Sequence, residues 1–395
     1  MTRRAAIIVL DGVGIGAAPD AEAYGDAGSN TLAHVAAATP GFALPNQERL
    51  GLGRIAPLEG ERPVASPTGA WGLLRPASAG KDSTTGHWEL AGVRLERPFP
   101  TYPNGFPVEV VDAFARATER AVIGNVVGSG TEMLARFGPE HERTGSWILY
   151  TSADSVFQVA AHEAVVPLRE LLAACETARG LLVAPHDVAR VIARPFVGTT
   201  GAYVRTANRR DFSLAPPAET LLDTLAAAGV DRHGVGKVDD LFAGRAIASE
   251  HLPGNAGGLL AIERWLRDPP RAERGALLFA NLVDFDQLYG HRNDVAGFAD
   301  ALRQFDSALP RLLDALREDD LLLITADHGN DPTTVSTDHA RECVPVLAAG
   351  ARVRAGDLGT RRTFGDLGAT VADWFDVGFR GHGSSFLGAL VPERS

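Results

Sequence analysis

Three segments of the chain are continuously apolar, and each runs into aspartate. The apolar runs are residues 5–10, 276–283 and 321–326, and the acids that follow them are Asp11, Asp284, Asp286 and Asp327. Runs of this length, rich in leucine and β-branched residues, are typical of strands buried on both faces of a parallel sheet. Residues 295–316 carry a helical pattern between the second and third run. The alternation predicts an α/β fold with a mainly parallel sheet flanked by helices.

The middle of the chain has a different pattern. Short strands and a helical stretch are mixed there, at residues 147–150, 165–179 and 191–194, and proline-rich segments flank the region. A chain of 395 residues is also long for one ordinary domain. We therefore predict a core formed by residues 1–97 and 217–395, with a smaller α+β domain, residues 98–216, inserted into it.

Composition and charge narrow the class of protein. No apolar run reaches the roughly 18–20 residues that cross a bilayer, so we expect no membrane partner. The apolar N-terminal run lacks a small-residue cleavage site and is interpreted as a strand rather than a signal peptide. The net charge of −11 argues against a nucleic-acid partner, but a small phosphorylated substrate needs only a few local cations. Two cysteines, Cys175 and Cys343, cannot build a disulfide framework, which fits a cytoplasmic location.

Acids and histidines gather where the predicted strands end. The six residues are Asp11, Asp286, His291, Asp327, His328 and His339. Ligands bind outside the carboxyl ends of strands in open α/β sheets, and a mixture of carboxylate and imidazole suits Mn²⁺, Zn²⁺ or Fe²⁺. Six ligands are too many for one catalytic ion with open positions, but they suit two ions in phosphoryl transfer. Isolated histidines such as His141 are expected to be polar surface residues.

A candidate nucleophile lies in the segment Gly-Lys-Asp-Ser-Thr-Thr-Gly-His-Trp-Glu, residues 80–89. A serine or threonine at a helix start is ordinarily an N-cap, and that interpretation could account for any one of Ser83, Thr84 and Thr85. The alternative is that one hydroxyl uses the positive end of the helix dipole, and a nearby metal, to become a nucleophile. The segment alone leaves both interpretations open.

Together these residues resemble the alkaline phosphatase superfamily and, within it, the bacterial phosphopentomutase family. The matching segments run from the first strand to the C-terminal part and include the inserted domain: residues 9–20, 80–89, 151–155, 194–198 and 325–332. The resemblance implies an alkaline-phosphatase-like core that interconverts (deoxy)ribose 1-phosphate and (deoxy)ribose 5-phosphate. It also implies a phosphoenzyme, a sugar bisphosphate that acts as intermediate and activator, and two divalent ions, with Mn²⁺ favoured. It leaves the oligomeric state and the preferred pentose open.

The resemblance further implies roles for individual residues. One metal would take Asp286, His291 and His339, and the other would take Asp11, Asp327, His328 and Ser83. The catalytic nucleophile would be Ser83, at a position where the family usually has threonine. Residues 98–216 would form a cap domain for substrate recognition. The implied substrate-binding residues are Asp154, Arg194, Arg205, Arg209 and Lys237.

Two other classes of function are considered. A phosphoglycerate mutase, phosphatase or phosphodiesterase could be built on the same core, but the segments that contain Asp154 and Arg194 favour the pentomutase. A non-enzymatic binding or scaffold protein would be expected to have a broken metal set, and none of the six predicted ligands is missing from the sequence.

Overall fold

The chain divides into two compact units. The computed structural model describes residues 2–58, 63–152, 154–268 and 272–391. The first unit, called the core unit, consists of Met1–Arg97 and Pro216–Ser395, and the second, called the inserted unit, consists of Pro98–Ala215. The chain therefore leaves the core unit once and returns to it once.

Strands and helices alternate along most of the chain. Within the described residues the strands are β1 (Arg4–Leu10), β2 (Ala70–Leu74), β3 (Val122–Val127), β4 (Trp147–Thr151), β5 (Val156–His162), β6 (Arg190–Val197), β7 (Val204–Arg205), β8 (Arg210–Ser213), β9 (Asp231–Val235), β10 (Ser249–Glu250), β11 (Ala276–Leu282), β12 (Asp320–Thr325), β13 (Val344–Ala349) and β14 (Gly356–Arg361). The α-helices of the same residues are α1 (Thr31–Ala38), α2 (Pro45–Leu50), α3 (Ser83–Leu90), α4 (Val108–Thr118), α5 (Gly130–Thr144), α6 (Leu168–Leu181), α7 (Leu221–Ala227), α8 (Val238–Leu241), α9 (Gly254–Arg267), α10 (Val295–Asp314), α11 (Gly365–Trp374) and α12 (Leu387–Leu390). Among these helices none is both long and apolar enough to span a membrane.

The core unit is built on one mainly parallel sheet. Its strand order is β10-β9-β11-β1-β12-β13-β2-β14, and β13 alone among these strands runs antiparallel to its neighbours. Strands β1, β11 and β12 are buried along their whole length, as their continuous apolar runs predict. Helices flank the sheet, with α9 packed against β11 and α10 packed against α9. The predicted α/β class is confirmed.

The register of the three central strands brings their carboxyl ends to one edge. Leu10 of β1 lies opposite Leu282 of β11, and Val9 lies opposite Thr325 of β12. The residues that follow each strand therefore leave the sheet at the same level. This alignment is what gathers acids from distant parts of the chain into one region.

The longest helix shows why the sequence forms this arrangement. In α10 the buried residues recur at helical spacing, as Phe298, Leu302, Phe305, Leu309 and Leu312. One stripe of the helix is thus apolar and is buried in the core unit. The helix begins after Asp294, whose side chain accepts a hydrogen bond from the amide of Gly297 at 2.9 Å. This capping is the usual way to satisfy a free amide in the first turn.

The inserted unit has its own mixed sheet and two small cores. The strand order is β3-β4-β5-β6-β7, with β8 also paired to β6. Helices α4 and α6 share one core with the sheet, and α5 shares the other. The alternation of β4 explains this division, because Trp147 and Leu149 belong to the first core and Ile148 and Tyr150 to the second. The predicted α+β character is confirmed.

One histidine of the inserted unit corrects an expectation. His141 is fully buried and not a surface residue. Its Nδ1 lies 2.6 Å from the carbonyl oxygen of Ser146, and its Nε2 accepts a hydrogen bond from the amide of His162 at 2.9 Å. Backbone groups therefore contact both ring nitrogens, and these contacts compensate for the water that the polar ring loses on burial.

Candidate metal centre

The six predicted ligands meet at the carboxyl edge of the central strands. Among the described residues they form two groups, and within each group the ligand atoms lie within 4.8 Å of one another. The Asp286 cluster consists of Asp286, His291 and His339, and the Asp11 cluster consists of Asp11, Asp327 and His328. Short helical turns after β11, Phe285–Tyr289 and Gly290–Arg292, carry the first two members of the Asp286 cluster.

The histidines of the Asp286 cluster turn the same ring nitrogen inward. The Nε2 atoms of His291 and His339 lie 3.1 and 3.5 Å from the carboxylate oxygens of Asp286. On the outer side, Nδ1 of His291 is 2.7 Å from the carbonyl oxygen of Thr337, and Nδ1 of His339 is 3.6 Å from a carboxylate oxygen of Asp338. The carbonyl oxygen of Thr337 is the kind of outer partner that orients a metal-binding imidazole and fixes its tautomer, whereas the distance at His339 is too long for a hydrogen bond.

The Asp11 cluster follows the same plan and adjoins the first. Nε2 of His328 lies 3.3 Å from Asp11 Oδ1 and 3.6 Å from Asp327 Oδ2. Its Nδ1 lies 3.0 Å from the carbonyl oxygen of Gly329. The ring of His328 is 4.3 Å from the ring of His339, measured between centroids, so the two clusters are neighbours.

The closely packed carboxylates of both clusters shift the pKa values of their neighbours. Burial raises the pKa of Asp11, and the charge of Asp327 adds to the effect. Burial lowers the pKa of His328, but Asp327 and Asp11 outweigh it and raise that pKa well above its usual value. A hydrogen bond to Asp286 raises the pKa of His291 to about 9. The carboxylates thus raise the pKa values of the histidines beside them, and a bound divalent ion would compete with protons for these side chains.

Ser83 reaches the Asp11 cluster from the first turn of α3. Its Oγ lies 3.3 Å from Asp11 Oδ1 and 3.1 Å from His328 Nε2. The N-cap of α3 is Asp82, which accepts the amide of Thr85 at 3.0 Å, so the Ser83 hydroxyl is not needed as a cap. The hydroxyl of Thr85 instead donates to Asp82. Among Ser83, Thr84 and Thr85, Ser83 is thus the residue whose hydroxyl contacts the predicted ligands Asp11 and His328.

Two cations hold the segment before α3 in place. The Arg341 guanidinium donates to the carbonyl oxygen of Gly80 at 2.5 Å and pairs with Asp20 at 2.9 Å. The Lys81 ammonium lies 3.3 Å from a carboxylate oxygen of Asp338, next to the ligand His339. Lys81 is one of only two lysines in the sequence. The Arg341 side chain is almost wholly buried. Its hydrogen bond to Gly80 therefore connects the turn before Ser83 to the interior of the core unit.

Comparison with known proteins identifies the family. A family model described as the metalloenzyme superfamily matches residues 3–378. A phosphopentomutase from Acetivibrio thermocellus is 51% identical over 391 residues, which are 98% of this chain and all of that protein. Phosphopentomutases from Dictyoglomus thermophilum and Anaeromyxobacter sp. strain K are 54% and 55% identical over 98% and 99% of this chain, and over 98% and 100% of their own length. The chain belongs to the phosphopentomutase family.

The resemblance drawn from the sequence motifs is thereby confirmed, and the chain is an enzyme of the phosphopentomutase type. A solved phosphoglycerate mutase from Leishmania mexicana also covers 98% of this chain, and the chain covers 97% of it, with 12% sequence identity and a TM-score of 0.49.

The predicted substrate residues of this phosphopentomutase are distributed over both units. Lys237 belongs to the core unit, where its ammonium donates to Gln287, the residue after the predicted ligand Asp286. The other four predicted residues lie in the inserted unit. Asp154 is exposed and lies just before β5. Arg194 of β6 pairs with Ala160 of β5, which lies four residues after Val156. The register therefore places Arg194 roughly 13 Å along the strands from Val156, the first residue of β5.

Arg194, Arg205 and Arg209 form a group of positive charges in the inserted unit. Arg194 donates to Gln158 at 3.1 Å, and burial together with the positive charges of Arg209 and Arg205 lowers its pKa. Arg209 makes a bidentate pair with Asp211, with both distances 2.7 Å. The Asp211 carboxylate thus lies among several guanidinium groups. The excess of positive charge suits an anion.

Three buried polar side chains that were not predicted from the sequence contact the carboxylates of the predicted ligands. The contacts are Asn281 Nδ2 to Asp11 Oδ2 at 3.0 Å, Asn330 Nδ2 to Asp286 Oδ1 at 2.7 Å, and His87 Nδ1 to Asp327 Oδ2 at 3.0 Å. A signal did exist for the first, because Asn281 is the single polar residue of an otherwise apolar strand, β11.

The strand-end acid Asp284 has a different role from its neighbour Asp286. Its carboxylate accepts the amide of Asn255 at 2.6 Å, and its own amide donates to the Asn255 side chain at 3.0 Å. These contacts fasten the first turn of α9 to the end of β11. Asp284 is therefore a structural acid and lies outside the metal clusters.

Proposed function

We propose that the chain is a phosphopentomutase that interconverts (deoxy)ribose 1-phosphate and (deoxy)ribose 5-phosphate through a phosphoserine at Ser83 and a sugar bisphosphate. The observation that carries the proposal is the position of Ser83. Its hydroxyl is 3.3 Å from Asp11 and 3.1 Å from His328, inside one three-ligand cluster and beside a second. A mutase of this kind needs one nucleophile next to cation sites that neutralise the transferred phosphoryl group.

Two divalent ions would be held by the two clusters. Asp286, His291 and His339 would hold one, and Asp11, Asp327, His328 and the Ser83 oxygen would hold the other. The mixed carboxylate and imidazole donors favour Mn²⁺ over Mg²⁺ or Ca²⁺. When bound, the ions would supply positive charge to the nucleophile and to the phosphoryl oxygens.

In the proposed reaction Ser83 transfers its phosphoryl group to the sugar and then receives the other phosphoryl group of the sugar bisphosphate. The free hydroxyl of the pentose monophosphate attacks the phosphorus of phosphoserine 83, the bond from phosphorus to Ser83 Oγ breaks, and the hydroxyl proton passes to Oγ. The product is the sugar bisphosphate. The Ser83 hydroxyl then attacks the other phosphorus of the bisphosphate, that P–O bond breaks, and the serine proton passes to the released sugar oxygen. Ser83 is phosphorylated again, so a sugar bisphosphate can also prime the enzyme.

The inserted unit is proposed to recognise the sugar. Asp154 would accept hydrogen bonds from sugar hydroxyls, and Arg194, Arg205 and Arg209 would bind the phosphate that is not reacting. Guanidinium groups bind phosphate in a bidentate way, which fixes orientation as well as charge. In the core unit Lys237 would provide a further cation near Asp286.

Turnover tests the proposal against its main rival. The purified protein, supplied with Mn²⁺ and a catalytic amount of ribose 1,5-bisphosphate, is assayed on ribose 1-phosphate, deoxyribose 1-phosphate and 3-phosphoglycerate. We expect conversion of one or both pentose phosphates, loss of activity with a chelator, and loss in Ser83→Ala. The Ser83→Thr variant should stay active, because it keeps a hydroxyl at the same place. Turnover of 3-phosphoglycerate without turnover of either pentose phosphate would reject the proposal.

A further inference from the structure

Two buried asparagines contact the carboxylates of the two clusters, one for each cluster. Asn281 is 3% exposed and Asn330 is 0% exposed. Asn281 lies one residue before the end of β11, in a strand that is otherwise apolar. Asn330 follows the predicted ligand His328 by two residues, and its backbone N–H donates to the carbonyl oxygen of Gly12 at 2.8 Å. Both backbones are therefore held by the sheet or by its neighbouring loops.

The contact of Asn281 distinguishes the two oxygens of Asp11. Oδ1 is the oxygen that faces Ser83 and His328, at 3.3 Å from each. Oδ2 accepts the hydrogen bond from Asn281 Nδ2 at 3.0 Å. The amide thus holds the carboxylate by one oxygen and leaves the other directed at the nucleophile.

Asn330 makes the equivalent contact in the other cluster. Its Nδ2 donates to Asp286 Oδ1 at 2.7 Å. That oxygen also lies 3.5 Å from His339 Nε2, and Asp286 Oδ2 lies 3.1 Å from His291 Nε2. A carboxylate can only accept, so each amide must present its nitrogen to it. The orientation of both asparagine side chains is therefore set by the acids that they contact.

The cost of burying these amides indicates what they are for. Among the described residues the Oδ1 atoms of Asn281 and Asn330 have no hydrogen-bond partner. A buried amide oxygen without a partner is destabilising, and a leucine of similar shape would avoid that penalty. The compensating interaction is the hydrogen bond from Nδ2 to a charged acceptor, which is stronger than a neutral one.

We infer that Asn281 and Asn330 are positioning residues, each of which orients the ligand carboxylate of a different metal ion. Asn281 serves the ion of the Asp11 cluster, and Asn330 serves the ion of the Asp286 cluster. The inference rests on the proposed two-ion function. It requires that the two asparagines act separately, so that each substitution weakens one ion and leaves the other in place.

Calorimetric titration of the metal-free full chain with Mn²⁺ tests this separation. We expect two binding events in the natural protein, and the His339→Ala variant identifies the event that belongs to the Asp286 cluster. Asn330→Leu should weaken that same event by roughly 10- to 100-fold, and Asn281→Leu should weaken the other event by a similar factor. Asn255→Leu is the matched control, because Asn255 is a buried asparagine of the core unit whose side chain contacts the backbone of Asp284 and neither cluster. It should leave both events unchanged.

The outcomes separate this inference from the proposed function. Two events in the natural protein that neither Asn281→Leu nor Asn330→Leu weakens would overturn the inference and leave the two-ion proposal standing. Equal weakening of both events by each variant would also overturn it. One event or none in the natural protein would reject the two-ion proposal, and this inference with it. If a leucine variant does not fold, as judged by circular dichroism, the smaller Asn281→Ala and Asn330→Ala variants carry the same expectations.

Discussion

A methyl group added at Gly86 tests how the helix that carries Ser83 is seated. Gly86 lies inside α3, and a Cβ atom at this position would lie 2.1 Å from the carbonyl oxygen of Asp327 and 2.8 Å from its Cβ. A carbon–oxygen contact normally lies at about 3.3–3.6 Å, so the helix and the ligand segment would have to separate by about 1 Å or more. Neither atom is at the flexible end of a side chain, so the backbone itself must shift.

The size of that shift sets the expected effect of Gly86→Ala. A displacement of about 1 Å in a catalytic group can reduce turnover by about 100-fold, and we expect kcat to fall by that order. Alanine is the better helix former by about 1 kcal/mol, but overpacking costs about 1–3 kcal/mol. The free energy of unfolding should therefore fall by up to about 2 kcal/mol.

Steady-state kinetics with saturating Mn²⁺ and urea unfolding measure the two effects of Gly86→Ala. The matched control is Gly180→Ala, which changes the same residue type in helix α6, where nothing lies within 4 Å of the added Cβ. That control should keep its kcat and gain up to about 1 kcal/mol in stability. Natural kcat and natural Mn²⁺ affinity in Gly86→Ala would refute the close packing of α3 on Asp327.

Three further predictions concern the metals, the substrate and pH. His339→Ala should lose most turnover and bind one Mn²⁺ per chain instead of two, as measured by elemental analysis; unchanged turnover with one metal or none would reject the two-metal account. Asp154→Ala should reduce pentose phosphate turnover while both metals remain bound, and loss of the metals would show that its role is assigned wrongly. Burial lowers the pKa of His141 below its usual 6.5, so the unfolded chain takes up this proton more readily than the folded one. The stability that neutral His141 contributes should therefore be lost as pH falls below 6.5, seen as a lower urea midpoint for the inserted unit at pH 5 than at pH 7; an NMR titration that gives His141 a pKa above 6.5 would contradict this.

The parts of the fold that sequence could predict are those with a local pattern. The central strands are mainly apolar runs, and the predicted ligands Asp11 and Asp327 follow two of those runs directly. Parallel pairing then brings the strand ends to one edge without any knowledge of the loops. Helix α10 was likewise predictable, because its apolar residues recur at the helical period.

The contacts that sequence could not predict join distant residues or depend on burial. Asn281 and Asp11 are 270 positions apart, and no local pattern links them. The sequence predicts Asp286 as a ligand but indicates no role for Asp284, whose contact with Asn255 becomes visible only in the structure. The expectation that His141 is a surface residue was wrong, since its two partners, Ser146 and His162, become visible only when helix α5 is packed on its sheet.

The position of the phosphoryl group on the enzyme tests the central claim most directly. The natural protein is incubated with Mn²⁺ and ribose 1,5-bisphosphate, digested, and mapped by mass spectrometry, with Ser83→Ala treated in parallel. We expect phosphate on Ser83, whose hydroxyl lies 3.1 Å from His328 Nε2, and none on the same peptide of the variant. Phosphate on Thr84 or Thr85 with Ser83 unmodified would contradict it.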